Sequence, residues 1–387
     1  MGNTPTPADG VHSMVPREEM SEGARKLRDT YARTPGAPLV QREFGFYCLD
    51  RWRREGMPTD VPLHELFQYD PPGSYGLGQL GWCEAAFLPA FEIEVIEDRG
   101  EHEVVRDYAG RHVLYFKGRR DGFMPEYLEH PVRDARTWEE DVKWRLDPSS
   151  EERYSDLGPR MEAAREQARR GQMISQGLIG GYMYLRSLIG PEHVLYAFHD
   201  QPALIHDCMT TWFDLADAVI SRHQEHVTID ELFLAEDICY NHGPLISPAM
   251  IGEFLAPYYE QLIANVKARQ IDRDRHLYLH IDTDGYAPPV MPVYKTLGMD
   301  AMSPFEVASG CDVVAVGQEH PDVALFGGID KRVLAQGKAA IDAMVERILP
   351  AMRERGGYIP TCDHGVPEEV PYEDYLHYRA RCVELGS

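Results

Sequence analysis

The sequence predicts an α/β protein: a (β/α)8 TIM barrel with an N-terminal arm and a small inserted antiparallel sheet. Three observations predict it. After Asp147-Pro148, short apolar segments alternate with helical patterns. The segments are near-continuous apolar runs, as parallel strands covered on both faces require. Several end in ionisable residues, and the C-terminal strand ends of such a barrel are where an active site gathers.

Taken in order, residues 1–36 read as a flexible polar arm rich in Thr, Pro, Gly and charge, with a helix beginning in Lys26-Leu-Arg-Asp-Thr-Tyr31. Residues 37–387 then read as a single domain. Arg42 to Gly56 carries Phe44, Phe46, Tyr47, Leu49 and Trp52 among charges, and its periodicity fits a half-buried helix or strand equally. From Ala85 to Arg120, polar and apolar residues alternate between turn signals at Asp98-Arg-Gly100 and Ala109-Gly110, which predicts antiparallel strands with one wet face. Helical periodicity follows at about 155–170, 201–226, 249–269, 331–354 and 372–385. Between these lie six strand segments: Met173 to Ile179, Glu231 to Asp237, His276 to Asp282, Ala301 to Glu306, Val323 to Asp330 and Gly357 to Cys362. Earlier segments would complete the eight strands.

The chain has 387 residues, a formal net charge of −24 and a sequence pI near 5.0. That balance disfavours nucleic acid and anionic membrane surfaces, and also a polyanionic substrate unless arginines concentrate positive potential locally. The seven cysteines are scattered and include no Cys-x-x-Cys pair, so no disulfide framework is expected. The N-terminus lacks a signal-like apolar core, and no run of about 18 uncharged apolar residues occurs, so the expected compartment is the cytoplasm.

Alternation along a strand sends His280 and Asp282 to one face, and likewise Cys362 and His364. Imidazole, carboxylate and thiolate are zinc-ligand types. The residues alone favour the blander reading, a hydrogen-bonded core histidine and a small buried cysteine, because no compact metal motif fixes the spacing. Glu236 and Asp237 are candidates for a fourth ligand or a general acid. Being adjacent, they face opposite ways, so at most one enters the site. His364 is a candidate proton donor or an idle loop histidine. Asp284, beside Gly285, either contacts substrate or caps a turn. Tyr182, Tyr184 and Arg186 follow Gly180-Gly181 and either contact substrate or pack. Asp330 and Lys331 read as a structural ion pair.

Pro304-Phe-Glu-Val-Ala-Ser-Gly310, Gly327-Gly-Ile-Asp-Lys331 and Gly356-Gly-Tyr-Ile-Pro-Thr-Cys-Asp-His-Gly-Val-Pro367 resemble the uroporphyrinogen decarboxylase superfamily, in its bacterial branch near the corrinoid-dependent methyltransferases. The similarity runs from about residue 85 to the C-terminus, and it implies a (β/α)8 barrel. The Arg-Gln-Ala-Gly-Arg-Tyr type motif of true decarboxylases is absent, which speaks against an octa-anionic tetrapyrrole substrate. The methyltransferase branch holds zinc through a His-x-Cys pair and a late cysteine. The resemblance therefore implies a metal set of His280, Asp282 and Cys362, with Asp282 standing where that branch has cysteine.

A harder oxygen donor makes such a site more electrophilic, which favours the demethylating direction. The expected activity is methyl transfer between a small methoxy or methylamine-type compound and a corrinoid (cobalamin), with a thiol acceptor left open. The sequence carries no corrinoid-domain signature, so cobalamin would come from a partner corrinoid protein or free in solution. The alternatives are a lyase on a small carboxylate and a non-catalytic barrel that docks a corrinoid protein. Analogy with other barrels leaves a homodimer open.

Overall fold

The structure, a computed structural model, describes residues 17–120 and 125–387. The first strand, β1 (Ser74–Leu77), precedes a separate antiparallel sheet of β2 (Glu94–Arg99), β3 (His102–Arg106), β4 (His112–Phe116) and β5 (Glu126–Glu129). Then come β6 (Met173–Ile179), β7 (Glu231–Ala235), a small hairpin of β8 (Cys239–Tyr240) and β9 (Gly243–Pro244), β10 (Tyr278–Asp282), β11 (Met299–Ser303), β12 (Ala324–Phe326) and β13 (Tyr358–Ile359). Seven strands form one curled parallel sheet in the order β1-β6-β7-β10-β11-β12-β13. The alternation of strands and helices predicted this layering. The antiparallel sheet also lies where expected, although it extends past Arg120 to Glu129.

Among the described residues the parallel sheet has seven strands rather than the expected eight. Between β13 and β1 runs an irregular segment, residues 39–47. Its Tyr47 N–H donates to the Val366 carbonyl at 2.9 Å, and its Gly45 carbonyl accepts from Val366 at 2.8 Å. On the other side the Gln41 carbonyl accepts from Asp70 at 2.8 Å. Side chains replace ladder bonds here: Glu43 accepts the Cys362 N–H at 2.7 Å, and Asp70 accepts the Gln41 N–H at 2.6 Å. Charged residues at ladder positions break the regular pattern that a strand assignment reads.

Among the described residues the N-terminal arm forms a 3-10 turn at Arg17–Glu19 and is α-helical from Glu22. Helix Glu22–Tyr31, capped by Ser21, inserts Leu27 and Tyr31 into a buried cluster with Met173, Ala301, Ala324 and Phe326 on the concave face. It thereby floors the curl at the N-terminal ends of the strands. Residues 1–16 of the expected arm lie outside the described residues. Two helices start or break at backbone signals: the expected 249–269 helix divides at Leu255, ahead of Pro257, and the helix expected from 331 begins at Lys338, after Gly337 at φ +89°. No helix among the described residues is long and apolar enough to cross a membrane.

Glu236, a candidate catalytic residue by sequence, is used to hold the fold. Ala235 is the last inward position of β7, so Glu236 turns behind the sheet, where it is fully buried. It accepts from the Tyr259 hydroxyl at 2.9 and 2.7 Å and from the Tyr182 N–H at 3.2 Å, at the start of helix Gly181–Ile189. Burial raises its pKa to about 7 against these donors.

Two predictions follow from this packing. Gly23 approaches β1 so closely that an added Cβ would land on the Pro71 carbonyl oxygen. Gly23→Ala should therefore lower the thermal midpoint, because overpacking costs about 1–3 kcal/mol, against the roughly 1 kcal/mol that alanine ordinarily gains within a helix. A raised midpoint by circular dichroism would mean that the floor helix is not locked there. For Glu236, a folded pKa of about 7 against an ordinary 4.5 means that the folded state binds the extra proton. Stability from this group is complete below pH 4.5 and is lost as pH rises through 7. Glu236→Gln should thus gain on wild type by up to about 3 kcal/mol between pH 4.5 and pH 8 in urea titrations. A stability difference that stays flat with pH would remove the assignment.

Candidate functional site at the C-terminal strand ends

Side-chain alternation builds the site from within the sheet. The register aligns Gly177 of β6, Phe233 of β7 and His280 of β10, with Ala301 of β11 beside them. Asp282 follows two residues on, opposite Ser303. His280 is buried, and both its ring nitrogens are engaged: Nδ1 with Glu231 Oε1 at 3.0 Å, and Nε2 with Ser303 Oγ at 2.9 Å. Ser303 in turn donates to Asp282, and the Tyr31 hydroxyl donates to Glu231. Burial pushes the Glu231 pKa up, but its bonds to His280, Ser175 and Tyr31 outweigh that and hold it at about 2. A fixed polar column therefore runs from the floor helix to the strand ends.

At the mouth, one carboxylate after another emerges from successive strands. Asp237 is turned inward by a left-handed backbone (φ 42°), which is uncommon for a non-glycine residue, and it pairs with Arg186 at 2.7 Å. Glu306 accepts the Gly285 N–H at 2.9 Å. Asp363 accepts the Val307 N–H at 2.9 Å, and Lys331 lies 3.6 Å from Asp363 and 3.9 Å from Glu306. Asp284 differs from its neighbours, because its carboxyl makes no hydrogen bond or ion pair with any described residue. Burial, followed by repulsion from Asp237, Asp282 and Glu306 with Lys331 opposing, raises its pKa to about 7. Asp284 is a free acid, and the turn-capping role open to it by sequence falls instead to Glu306.

The remaining candidates divide. His364 lies at the rim, stacked beside Tyr47 and near Phe44, and its Nδ1 accepts the Gly365 N–H at 2.8 Å. Burial and the Lys331 charge lower its pKa, which favours the neutral imidazole. Tyr182 is buried with a hydroxyl that has no hydrogen-bond partner among the described residues, under the influence of Arg186, Asp237 and Cys239. Tyr184, two residues along the same helix, faces the opposite way, into an apolar pocket with Trp212 and Leu215, and is a packing residue. Asp330 does not pair with Lys331. It binds Arg332 at 2.8 Å, which frees Lys331 for the mouth.

The metal set implied by resemblance does not fit. The residues flanking Cys362 electrostatically are Glu43, Asp363, Cys382 and Lys331, on the side of Tyr375 and Tyr378; neither His280 nor Asp282 is among them. Ile359 lies on the concave face, and Cys362, an odd number of residues later, points away from it. Burial raises the Cys362 thiol well above its ordinary pKa, opposite to what a thiolate ligand needs. Among the described residues, no three His, Cys, Asp or Glu side chains come together as a ligand cluster.

Sequence reasoning passed over Glu231 and Ser303, and it read Lys331 only as the partner of Asp330. The signal for Glu231 and Ser303 was available: each occupies an inward position in phase with His280 or Asp282. A cavity of about 790 Å³ elsewhere, between the antiparallel sheet and Trp144-Arg145, is reached by none of the parallel strand ends.

Comparison with known proteins bears on the fold. A methyltransferase from Methanosarcina mazei shares the fold at 14% identity and a TM-score of 0.57, over 95% of this chain and 100% of that one. A putative vitamin-B12 independent methionine synthase from Listeria monocytogenes matches at 17% identity and a TM-score of 0.32, over 58% of this chain and 69% of that one. No curated protein sequence matches. The profile described as uroporphyrinogen decarboxylase (URO-D) matches residues 124–382, two thirds of the chain, and the protein belongs to that family.

Proposed function

We propose that this protein is a methyltransferase that takes the methyl group from a small methoxylated compound and delivers it to a corrinoid, free or carried by a partner protein. The observation that carries this reading is Asp284, an unpartnered carboxyl at the mouth that keeps its proton up to about pH 7. The shared fold with a methyltransferase along the whole chain supports it. Decarboxylation of an octa-anionic tetrapyrrole fits poorly, because the substrate would meet Asp237, Asp282, Glu306 and Asp363 while Arg186 and Lys331 are already committed to carboxylates.

The chemistry needed is heterolysis of a methyl–oxygen bond. The bonding pair stays on oxygen, and an alkoxide is a poor leaving group unless it is protonated as it departs. Asp284 gives its proton to that oxygen and becomes a carboxylate, which Lys331 then stabilises. A reduced corrinoid would supply the nucleophile that receives the methyl group. A quaternary ammonium donor needs no such acid, since it leaves as a neutral amine, and this distinction favours the ether. Arg186 holds Asp237 in its strained position, so the mouth keeps its shape while charge develops on Asp284. Trp82, half-exposed and stacked on Phe233 at 5.2 Å, offers an apolar wall for the donor.

The test is cobalamin methylation, followed by absorbance with methoxylated donors across pH 5.5–8.5. Asp284→Asn should lower kcat by about 10²- to 10⁴-fold, the usual contribution of a general acid. The wild-type rate should fall above about pH 7, where the acid is lost, and the variant should lack that limb. Unimpaired turnover by Asp284→Asn, or no methyl transfer from any ether, would overturn the reading.

A further inference from the structure

The interior of the curl contains a second unpartnered group. Below the mouth lies a cavity of about 190 Å³ walled by Arg42, Ser74, Glu231, Phe233, His280 and Phe326. Arg42 comes from the irregular segment that fills the gap between β13 and β1, and its guanidinium sits 5.3 Å from the centre of the Phe326 ring. It makes no hydrogen bond or ion pair with any described residue. Glu231, its nearest source of negative charge on the concave face, is already occupied by the His280 imidazole at 3.0 Å and by the Tyr31 hydroxyl. A guanidinium offers five donors in a flat fork, and those of the partly buried Arg42 open onto the cavity. Such an arrangement is expected where a ligand supplies the acceptor.

We infer that Arg42 binds the carboxylate of the substrate, which makes the substrate a small methoxylated carboxylic acid. This rests on the reading of Asp284 given above and extends it by one functional group. The Arg42 cavity lies inside the curl at the level of Glu231 and His280, and the mouth that holds Asp284 opens beyond the C-terminal ends of the same strands. Phe326 stands one residue beyond the Met302↔Leu325 pair, level with Ser303 and therefore with Asp282, and Asp284 follows two residues later. Gly76 and Gly177 widen the interior between them, since a Cβ at either position would meet nothing within 4 Å. A planar carboxylate matches the guanidinium fork with two parallel hydrogen bonds, and the ring of Phe326 supports the guanidinium face. One arginine at depth and carboxylates at the rim select a monoanion over the polyanions that the rim repels.

Titration calorimetry tests this on the full chain with 4-methoxybenzoate and methoxyacetate as probes, each against its methyl ester. Expected is binding of at least one acid, with its ester at least tenfold weaker. Arg42→Met should erase that preference, and Arg42→Lys should retain part of it, because an ammonium keeps the charge and loses the fork. Without ligand, Arg42→Met should melt no lower than wild type. Equal affinity for acid and ester, an unchanged preference in Arg42→Met, or a marked fall in its ligand-free melting temperature would each overturn the assignment, the last by making Arg42 a structural residue. Carboxylate binding that depends on Arg42, but with loss of carbon dioxide instead of methyl transfer, would leave this site standing and remove the proposed reaction. Methyl transfer indifferent to Arg42 would do the reverse.

Discussion

The two-residue period of the parallel strands is the constraint on which the site depends. In β7 it sends Glu231 and Phe233 into the interior while Leu232 and Leu234 are buried behind; in β10 it does the same for His280 and Asp282 against Leu279 and Ile281. A shift of one residue would exchange polar column for apolar core. The register thus fixes which charges are brought together, and the apolar half of each strand makes that register costly to change. Beyond the last ladder pair the same phase continues for a residue or two. It therefore separates Glu236, which goes behind the sheet, from Asp237, which goes into the mouth.

Collecting carboxylates at one rim creates an electrostatic problem that the structure meets locally. Asp237 has Arg186, Asp282 has Ser303, Glu306 has the Gly285 N–H, and Asp363 has two backbone N–H groups with Lys331 nearby. Each of these partners favours the charged form. Asp284 has none, so burial and then the repulsion of Asp237, Asp282 and Glu306 raise its pKa to about 7. The acid arises from what its surroundings have already neutralised, which is why a single unpartnered carboxyl among several is informative.

Much of the fold was legible because it rests on local regularities. The strand at Met173–Ile179 and the helices Pro202–Gln224 and Tyr372–Gly386 fall where periodicity puts them. Less legible were features set by distant contacts. Nothing in the polarity of residues 22–31 shows that the apolar stripe of Leu27 and Tyr31 floors the sheet. The segment 39–47 reads ambiguously because its bonds are made by side chains of Glu43 and Asp70. At the site, the mouth positions of Asp237, Asp282 and Asp284 followed from strand ends. The fate of Cys362 needed the phase of β13: pairing continues past Ile359 through the Ile329 bridge, and that phase puts Cys362 on the face opposite Ile359.

The departure from the zinc-binding branch is coherent when its parts are considered together. With carboxylate in place of thiolate at position 282, the side chain accepts from Ser303, and Ser303 meets the nitrogen of His280 that would otherwise face the mouth. His280 turns its other nitrogen to Glu231, a carboxylate on the neighbouring strand that orients the ring. Assembling His280, Asp282 and Cys362 around one ion would break these three hydrogen bonds and bring a thiol from the far side of the wall. The bonds are mutually supporting and buried, so each raises the cost of losing the others. Hydrogen bonds and the Arg186–Asp237 ion pair hold the shape of a site arranged this way. Asp284 above and Arg42 below remain without a hydrogen bond or ion pair to any described residue.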